Sequence, residues 1–355
     1  MITASRTHSQ PGEQGKNWQR ELAEGYRDPA ALLRDLGLSA QVIALAGEGR
    51  QAFPMRVPRC FAARMERGNP ADPLLRQVLP LAEEDRPANG FVMDPVGDMG
   101  FRRGGGVLKK YRGRALLITT GACAIHCRYC FRRHFPYAEE HAGKGAWQLA
   151  LDTIARDSDI REVILSGGDP LSLSDDKLAP LLQGLAAIPH VHRLRIHTRL
   201  PVVLPNRVTK ALQDMLAAFP GPVTVVLHAN HGHEIDDGVG DAVAALRSTG
   251  ALLLNQAVLL KGINDSAGAQ TGLSDALTAI GVAPYYLHQL DPVAGAGHFQ
   301  VSDETARQLM AELREALPGY MLPRLVREIP GEASKTPLQD KARRVSSRPL
   351  INTGK

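Results

Sequence analysis

The chain has 355 residues, 44% of them hydrophobic and 22% charged, with a net charge of +5 and a pI near 9.1. That is the composition of a soluble globular protein, long enough for one large domain or two small ones. Apolar runs such as Val223–Leu227 and Ala251–Leu254 are far too short to span a membrane, and the first residues lack the apolar core of a signal peptide. We therefore expect a cytoplasmic protein without a membrane or nucleic-acid partner, since its arginines are dispersed and few aromatics stand beside them to stack bases.

In chain order, residues from Asn17 to Leu81 read as largely helical. Trp18, Leu22, Tyr26, Leu32, Leu33 and Leu36 recur at three- and four-residue steps, and Pro73–Pro80 is a short helical piece fenced by prolines. From Pro87 to Gly106 the composition shifts to Gly, Pro and Asp, a linker-like loop. Beyond it, strand candidates alternate with helical stretches. The strands are Ala115–Thr119, Glu162–Leu165, Arg193–His197, Val223–Leu227, Leu252–Val258 and Pro284–Leu287. The helices are Trp147–Arg156, Lys177–Ala187, Asn206–Ala218, Val239–Thr249 and Ser274–Ile280. This alternation predicts an α/β fold of parallel βα units, a barrel or an open sheet, with function at the C-terminal strand ends. Three regions are expected: an N-terminal helical extension and linker (1–95), a core (96–310) and a C-terminal segment (311–355) whose basic end, Ala342–Lys355, should fray.

The chemistry centres on Cys123, Cys127 and Cys130, three of the four cysteines in the chain, directly after the first core strand. Thiolates select zinc, copper(I) or iron–sulfur clusters. A structural zinc would need a fourth ligand, which Cys60 or a histidine would supply; Cys60 otherwise reads as a core residue. Ser166, Gly167, Gly168 and Asp169 follow the second strand, where two glycines let the backbone approach a ligand. His197, Thr198 and Arg199, then His228, Asn230 and His231, and Asn255 with Gln256 put polar clusters on successive strands. His231 and His233 offer a second metal reading, but no partner pair stands at usable spacing. Lys335 lies in the loop Pro330–Pro337, and lysine amines form Schiff bases with pyridoxal phosphate.

The CxxxCxxC spacing, followed by Phe131, Arg132, Arg133, His134 and Phe135, resembles the cluster loop of radical S-adenosylmethionine enzymes, and within them the lysine 2,3-aminomutase group. The resemblance runs from about Val57 to Leu338 and implies a partial (β/α)6 radical SAM barrel. It implies that Cys123, Cys127 and Cys130 hold a 4Fe–4S cluster. Ser166, Gly167, Gly168 and Asp169 match the "GGE" element that binds the S-adenosylmethionine amino group, and His228 and Gln256 line the same site. Lys335 would carry pyridoxal phosphate, in a loop that departs from the family's PGGGGKTP at Glu332, Ala333 and Ser334, with Tyr111 and Arg114 as ring and phosphate contacts. Arg132 would clamp the substrate α-carboxylate, and Asp291 and Glu328 the ε-ammonium of L-lysine, two carboxylates that select a diamino acid.

Cys60 is the one cysteine outside the loop, and Ser266 stands where longer aminomutases place a zinc cysteine. The expectation is therefore no zinc. The stretches Cys127–Tyr137 and Arg327–Pro337 resemble those of the elongation factor P (R)-β-lysylation type (EpmB type) of lysine 2,3-aminomutase. That subgroup implies an external reductant and a functional link to elongation factor P and its β-lysine ligase. A stand-alone catabolic or osmolyte aminomutase would use the same residues, and a radical enzyme on RNA or a non-catalytic metal protein are further alternatives. A homo-oligomer is compatible with the sequence.

Overall fold

The structure, a computed structural model, describes residues 18–39, 44–45, 47, 53–137 and 146–338. The expected fraying of Ala342–Lys355 falls outside the described residues. The core is a sheet in which β1 to β9 follow one another in sequence order, open between its first and last strands. Strands β2 (Arg114–Thr120), β3 (Glu162–Gly167), β4 (Arg193–Thr198), β5 (Val223–Leu227), β6 (Leu252–Leu259), β7 (Ala283–Gln289) and β8 (Arg324–Arg327) are parallel to their neighbours. The short β1 (Val107–Leu108) and β9 (Thr336–Pro337) close the two edges antiparallel.

Six parallel strands were expected, and the sheet has seven. The extra strand, β8, is only Arg-Leu-Val-Arg behind Pro323, too short for a periodic signal; its pairing with β7 makes it a strand. The helix Asp303–Ala316 spans residue 310, and a 3-10 turn at Gly319–Met321 leads from it to β8. Helix Ala267–Ala279 begins well ahead of the expected Ser274 because its first turns are rich in Gly and small polar residues, which mute the periodicity. Ser266 caps it, its side chain accepting from the Ala269 amide.

Two patterns distinguish the strands. In β3 every residue is buried, as in a parallel strand covered on both faces. In β4 and β6 deep burial alternates with partial burial. The deeply buried set (Leu194, Ile196, Leu253, Ala257, Leu259) joins the main apolar core, while Arg195, His197, Gln256 and Val258 line an interior cavity. The barrel interior is thus a site and not a filled core.

The linker-like segment 87–106 also builds structure. Val92 exchanges backbone hydrogen bonds with Pro292 and Ala294 beyond β7, and a 3-10 turn at Asp98–Phe101 carries Asp98 inward. At the other edge of the site, Gly167 and Gly168 let β3 meet the start of the cysteine loop: the Gly168 amide donates to Thr120 O at 2.7 Å. A Cβ on Gly168 would lie 2.4 Å from Ala122 O, so the glycines serve the approach of two backbones. We predict that Gly168→Ala costs about 1–3 kcal/mol in urea unfolding of the cofactor-free protein, as overpacking does; an unchanged midpoint would mean that the Ala122 carbonyl yields freely.

Candidate active site

A cavity of about 660 Å³ opens inside the sheet, and Cys123, Cys127, Cys130 and Lys335 all line it. Residues more than 200 positions apart along the chain therefore share one chamber. Burial, then the neighbouring Cys130, Asp169 and Cys127, pushes the Cys123 thiol well above its ordinary range, and burial and Cys127 raise Cys130 to about 11. A bound metal centre would draw off their protons. Among the described residues no three His, Cys, Asp or Glu side chains converge as a single-ion site. Three soft thiol donors on one loop would suit an iron–sulfur cluster. His231 accepts instead from the His233 amide through Nδ1, capping its own turn.

Lys335 owes its place to a hairpin. Strand β9 follows it immediately and pairs Thr336 with Arg327, which carries the amine back to Glu328. Lys335 Nζ lies 2.7 Å from Glu328 Oε2, and Tyr111 donates to Glu328 Oε1 at 2.9 Å. Lys110 Nζ sits 3.4 Å from Glu328 and 2.6 Å from Asp98, whose other oxygen is 2.7 Å from Arg132 Nε. Arg132 also donates to Ser166 Oγ at 3.1 Å. An unbroken polar chain thus joins the lysine to the cysteine loop. Arg114 stacks 4.9 Å above the Tyr111 ring, and both line the cavity.

Asp291 lies in the same wall, where burial drives its carboxyl up to about 7 against the pull of Lys335. Asp291 Oδ1, His197 Nε2 and His288 Nε2 are buried without a protein partner, and all three residues line the cavity. Unpartnered polar atoms aimed into a chamber of this size suit a polar ligand. His228 and Gln256 meet at 2.9 Å, and burial, with Arg199 and Lys335 nearby, lowers His228 to about 3, so it is a neutral donor or acceptor. Asp169 borders the cavity but its oxygens accept from Thr198 Oγ1 and the amides of Leu171, Arg199 and Leu200. Its visible role is to bind the ends of β3 and β4 together, and a ligand ammonium would share it.

The cysteine loop is gripped from the N-terminal side. Arg128 N donates to Gln77 O, His126 N to Arg56 O, and Arg56 reaches Cys123 O at 3.1 Å. Buried Glu84 takes Arg128 at 2.7 Å and Arg133 at 2.9 Å. Beneath Cys127, Arg199 donates to the Cys127 sulfur at 2.7 Å, to Gln77 at 2.7 Å and to Glu234 at 2.8 Å.

With this geometry in hand, comparison with known proteins is informative. No protein-family model matches the chain. It is 50% identical over 324 residues to the L-lysine 2,3-aminomutase of Escherichia coli, covering 91% of this chain and 94% of that protein. It is 46% identical to the one from Haemophilus influenzae over 90% of this chain and 95% of that protein.

The chain belongs to the L-lysine 2,3-aminomutase family.

It is accordingly an enzyme, an isomerase. A third relative, the L-lysine 2,3-aminomutase of Clostridium subterminale, is 34% identical over 81% of this chain and 69% of that protein. Among solved structures, Streptococcus suis SuiB bound to S-adenosylmethionine aligns over 62% of this chain and 51% of that chain, with a TM-score of 0.45 and 15% identity.

Several residues of this aminomutase site escape sequence reasoning. Asp98 sits in a Gly- and Pro-rich loop without periodicity, and Gln77, Glu84 and Glu234 read as ordinary helix or loop polar residues. Tyr285, Tyr286 and His288 lie in β7, of which the sequence predicts only a strand over Pro284–Leu287. Asp291 yields a prediction. Its folded value near 7 exceeds the ordinary 3.8, so the folded state holds a proton that the unfolded state releases, and stability falls as pH rises from about 4 to about 7. The gain in thermal midpoint of cofactor-free Asp291→Asn over wild type should therefore be larger at pH 8 than at pH 4.5; an equal gain at both would show Asp291 ionised throughout.

Proposed function

We propose that this chain converts L-lysine to (R)-β-lysine with a 4Fe–4S cluster on Cys123, Cys127 and Cys130, S-adenosylmethionine, and pyridoxal phosphate on Lys335. The observation that carries the reading is the single chamber shared by the three thiols and the Lys335 amine. When bound, these groups supply a carbon-centred radical for hydrogen abstraction and a covalent hold on the migrating amine.

The protein's own task is to bind, orient and exclude water. Arg132, already oriented by Asp98 and Ser166, offers its remaining donors to a substrate carboxylate. A distal ammonium would hold Asp291, which has an oxygen unpartnered by protein, in its ionised form, and Glu328 adds a second carboxylate to the same wall. A glutamate substrate would meet like charge there. Neutral His228 and Gln256 form one unit beside the cysteine loop, suited to hold S-adenosylmethionine by hydrogen bonds. Tyr111, which shares Glu328 with Lys335, and Arg114, stacked on Tyr111, are the residues we assign to the cofactor ring and phosphate.

Supply of (R)-β-lysine to a ligase acting on elongation factor P is the biological role we favour. It is supported by the loop sequence around Lys335 and the resemblance that sequence carries. Among the described residues no helix is long and apolar enough to cross a membrane. A deletion strain should lose β-lysyl elongation factor P by mass spectrometry; intact modification would favour a stand-alone aminomutase. In anaerobic assays with an external reductant, Asp291→Asn should lower kcat/KM for lysine about a hundredfold, the ~3 kcal/mol of leaving a buried charge uncompensated. Lys335→Ala should abolish pyridoxal phosphate absorbance together with turnover. Retained turnover in the Lys335 variant would end the aminomutase mechanism proposed here.

A further inference from the structure

We infer that Arg199 raises the reduction potential of the cluster held by Cys123, Cys127 and Cys130, with Glu234 as the counter-charge that limits the effect. The inference rests on the cluster assignment proposed above but assigns a role to residues outside the ligand set. Arg199 is 5% exposed and leaves β4 at its C-terminal end. One guanidinium nitrogen is 2.7 Å from Cys127 Sγ and 2.6 Å from Tyr129 Oη. The other is 2.8 Å from Glu234 Oε2 and 2.7 Å from Gln77 Oε1.

The surroundings hold this arrangement in place. Glu234 is fully buried, and its second oxygen accepts from Gln77 at 3.0 Å and from the amides of Asn230 and His231 at 2.8 and 3.2 Å. Asn230 in turn donates to Tyr129 Oη at 2.6 Å and to Gln77 at 2.9 Å. The guanidinium can therefore neither swing away from the sulfur nor lose its proton. Hydrogen bonds to ligand sulfurs, net charge and burial are the protein's means of setting a cluster potential. In a water-poor site a fixed cation beside a thiolate favours the more negative, reduced cluster. On reduction the cluster gains one electron from an external low-potential donor, and Arg199 offsets the added charge without exchanging a proton. Glu234 works in the opposite sense through the same guanidinium.

The test is a potentiometric titration of the anaerobically reconstituted full-length protein with dithionite and mediators, without S-adenosylmethionine or lysine. The reduced cluster is read by electron paramagnetic resonance. Iron and sulfide content is measured first, and a wild-type protein that fails to take up both removes the cluster assignment itself, separately from the role of Arg199. Arg199→Gln should lower the reduced-to-oxidised ratio at fixed potential at least tenfold, about 59 mV for a one-electron couple. Arg199→Lys, which keeps the charge, should shift it less, and Glu234→Gln should shift it upward. Potentials unchanged in both neutral variants, or shifted in the same direction, would overturn the inference. Should Arg199→Gln not retain its cluster, Glu234→Gln decides alone: a higher potential sustains the inference and an unchanged or lower one defeats it.

Discussion

Asp98 holds two cations at once, Lys110 at 2.6 Å and Arg132 at 2.7 Å, and it is almost wholly buried. Burial alone would raise its carboxyl, but Arg132 and Lys110 beside it hold it below the ordinary range, so the charge persists. Through Lys110 the same carboxylate reaches Glu328, and through Glu328 it reaches Lys335. Breaking a buried pair of this kind costs on the order of 3–5 kcal/mol because the partner is left uncompensated. The two ends of the chamber are thus mechanically and electrostatically linked through a residue of the segment between the N-terminal extension and the sheet.

This linkage works because the sheet does not fill its own interior. A closed (β/α)8 barrel packs layers of branched side chains on its axis. Here the inward positions of β4, β6 and β7 carry Arg195, His197, Gln256, Tyr286 and His288, and the apolar residues between them face the helices. The period of two along β4 and β6 divides the structural load from the chemical one. Helices and outward residues stabilise the fold, while inward residues are free to be polar. The cost falls on groups such as Asp291 and His228, whose ionisation is displaced by burial.

The cysteine loop shows the complementary arrangement. It has little regular structure, and its shape is imposed by neighbours: Gly168 behind it, Gln77 and Arg56 below it, and Glu84 binding Arg128 and Arg133 within it. A loop that presents three thiols needs a rigid frame, since metal-site geometry tolerates little displacement. The N-terminal extension supplies much of that frame, so it is part of the site and not merely a cover.

Cys123, Cys127 and Cys130, the alternating strands and the paired glycines at 167 and 168 could all be read from the sequence. Each is a local pattern, in which spacing along the chain is enough to state the chemistry or the element. Asp98, Gln77, Glu84 and Glu234 could not, because each is a single polar residue whose role depends on a partner between 34 and 157 positions away. Strand β8 and the return of Lys335 to Glu328 belong to the same class, since four residues have no preference strong enough to form a strand without β7. Residue types and their periods determined what chemistry this protein can perform. Only the folded chain decided which charges meet, because ion pairing in a buried site depends on distance through space and not on separation along the polypeptide.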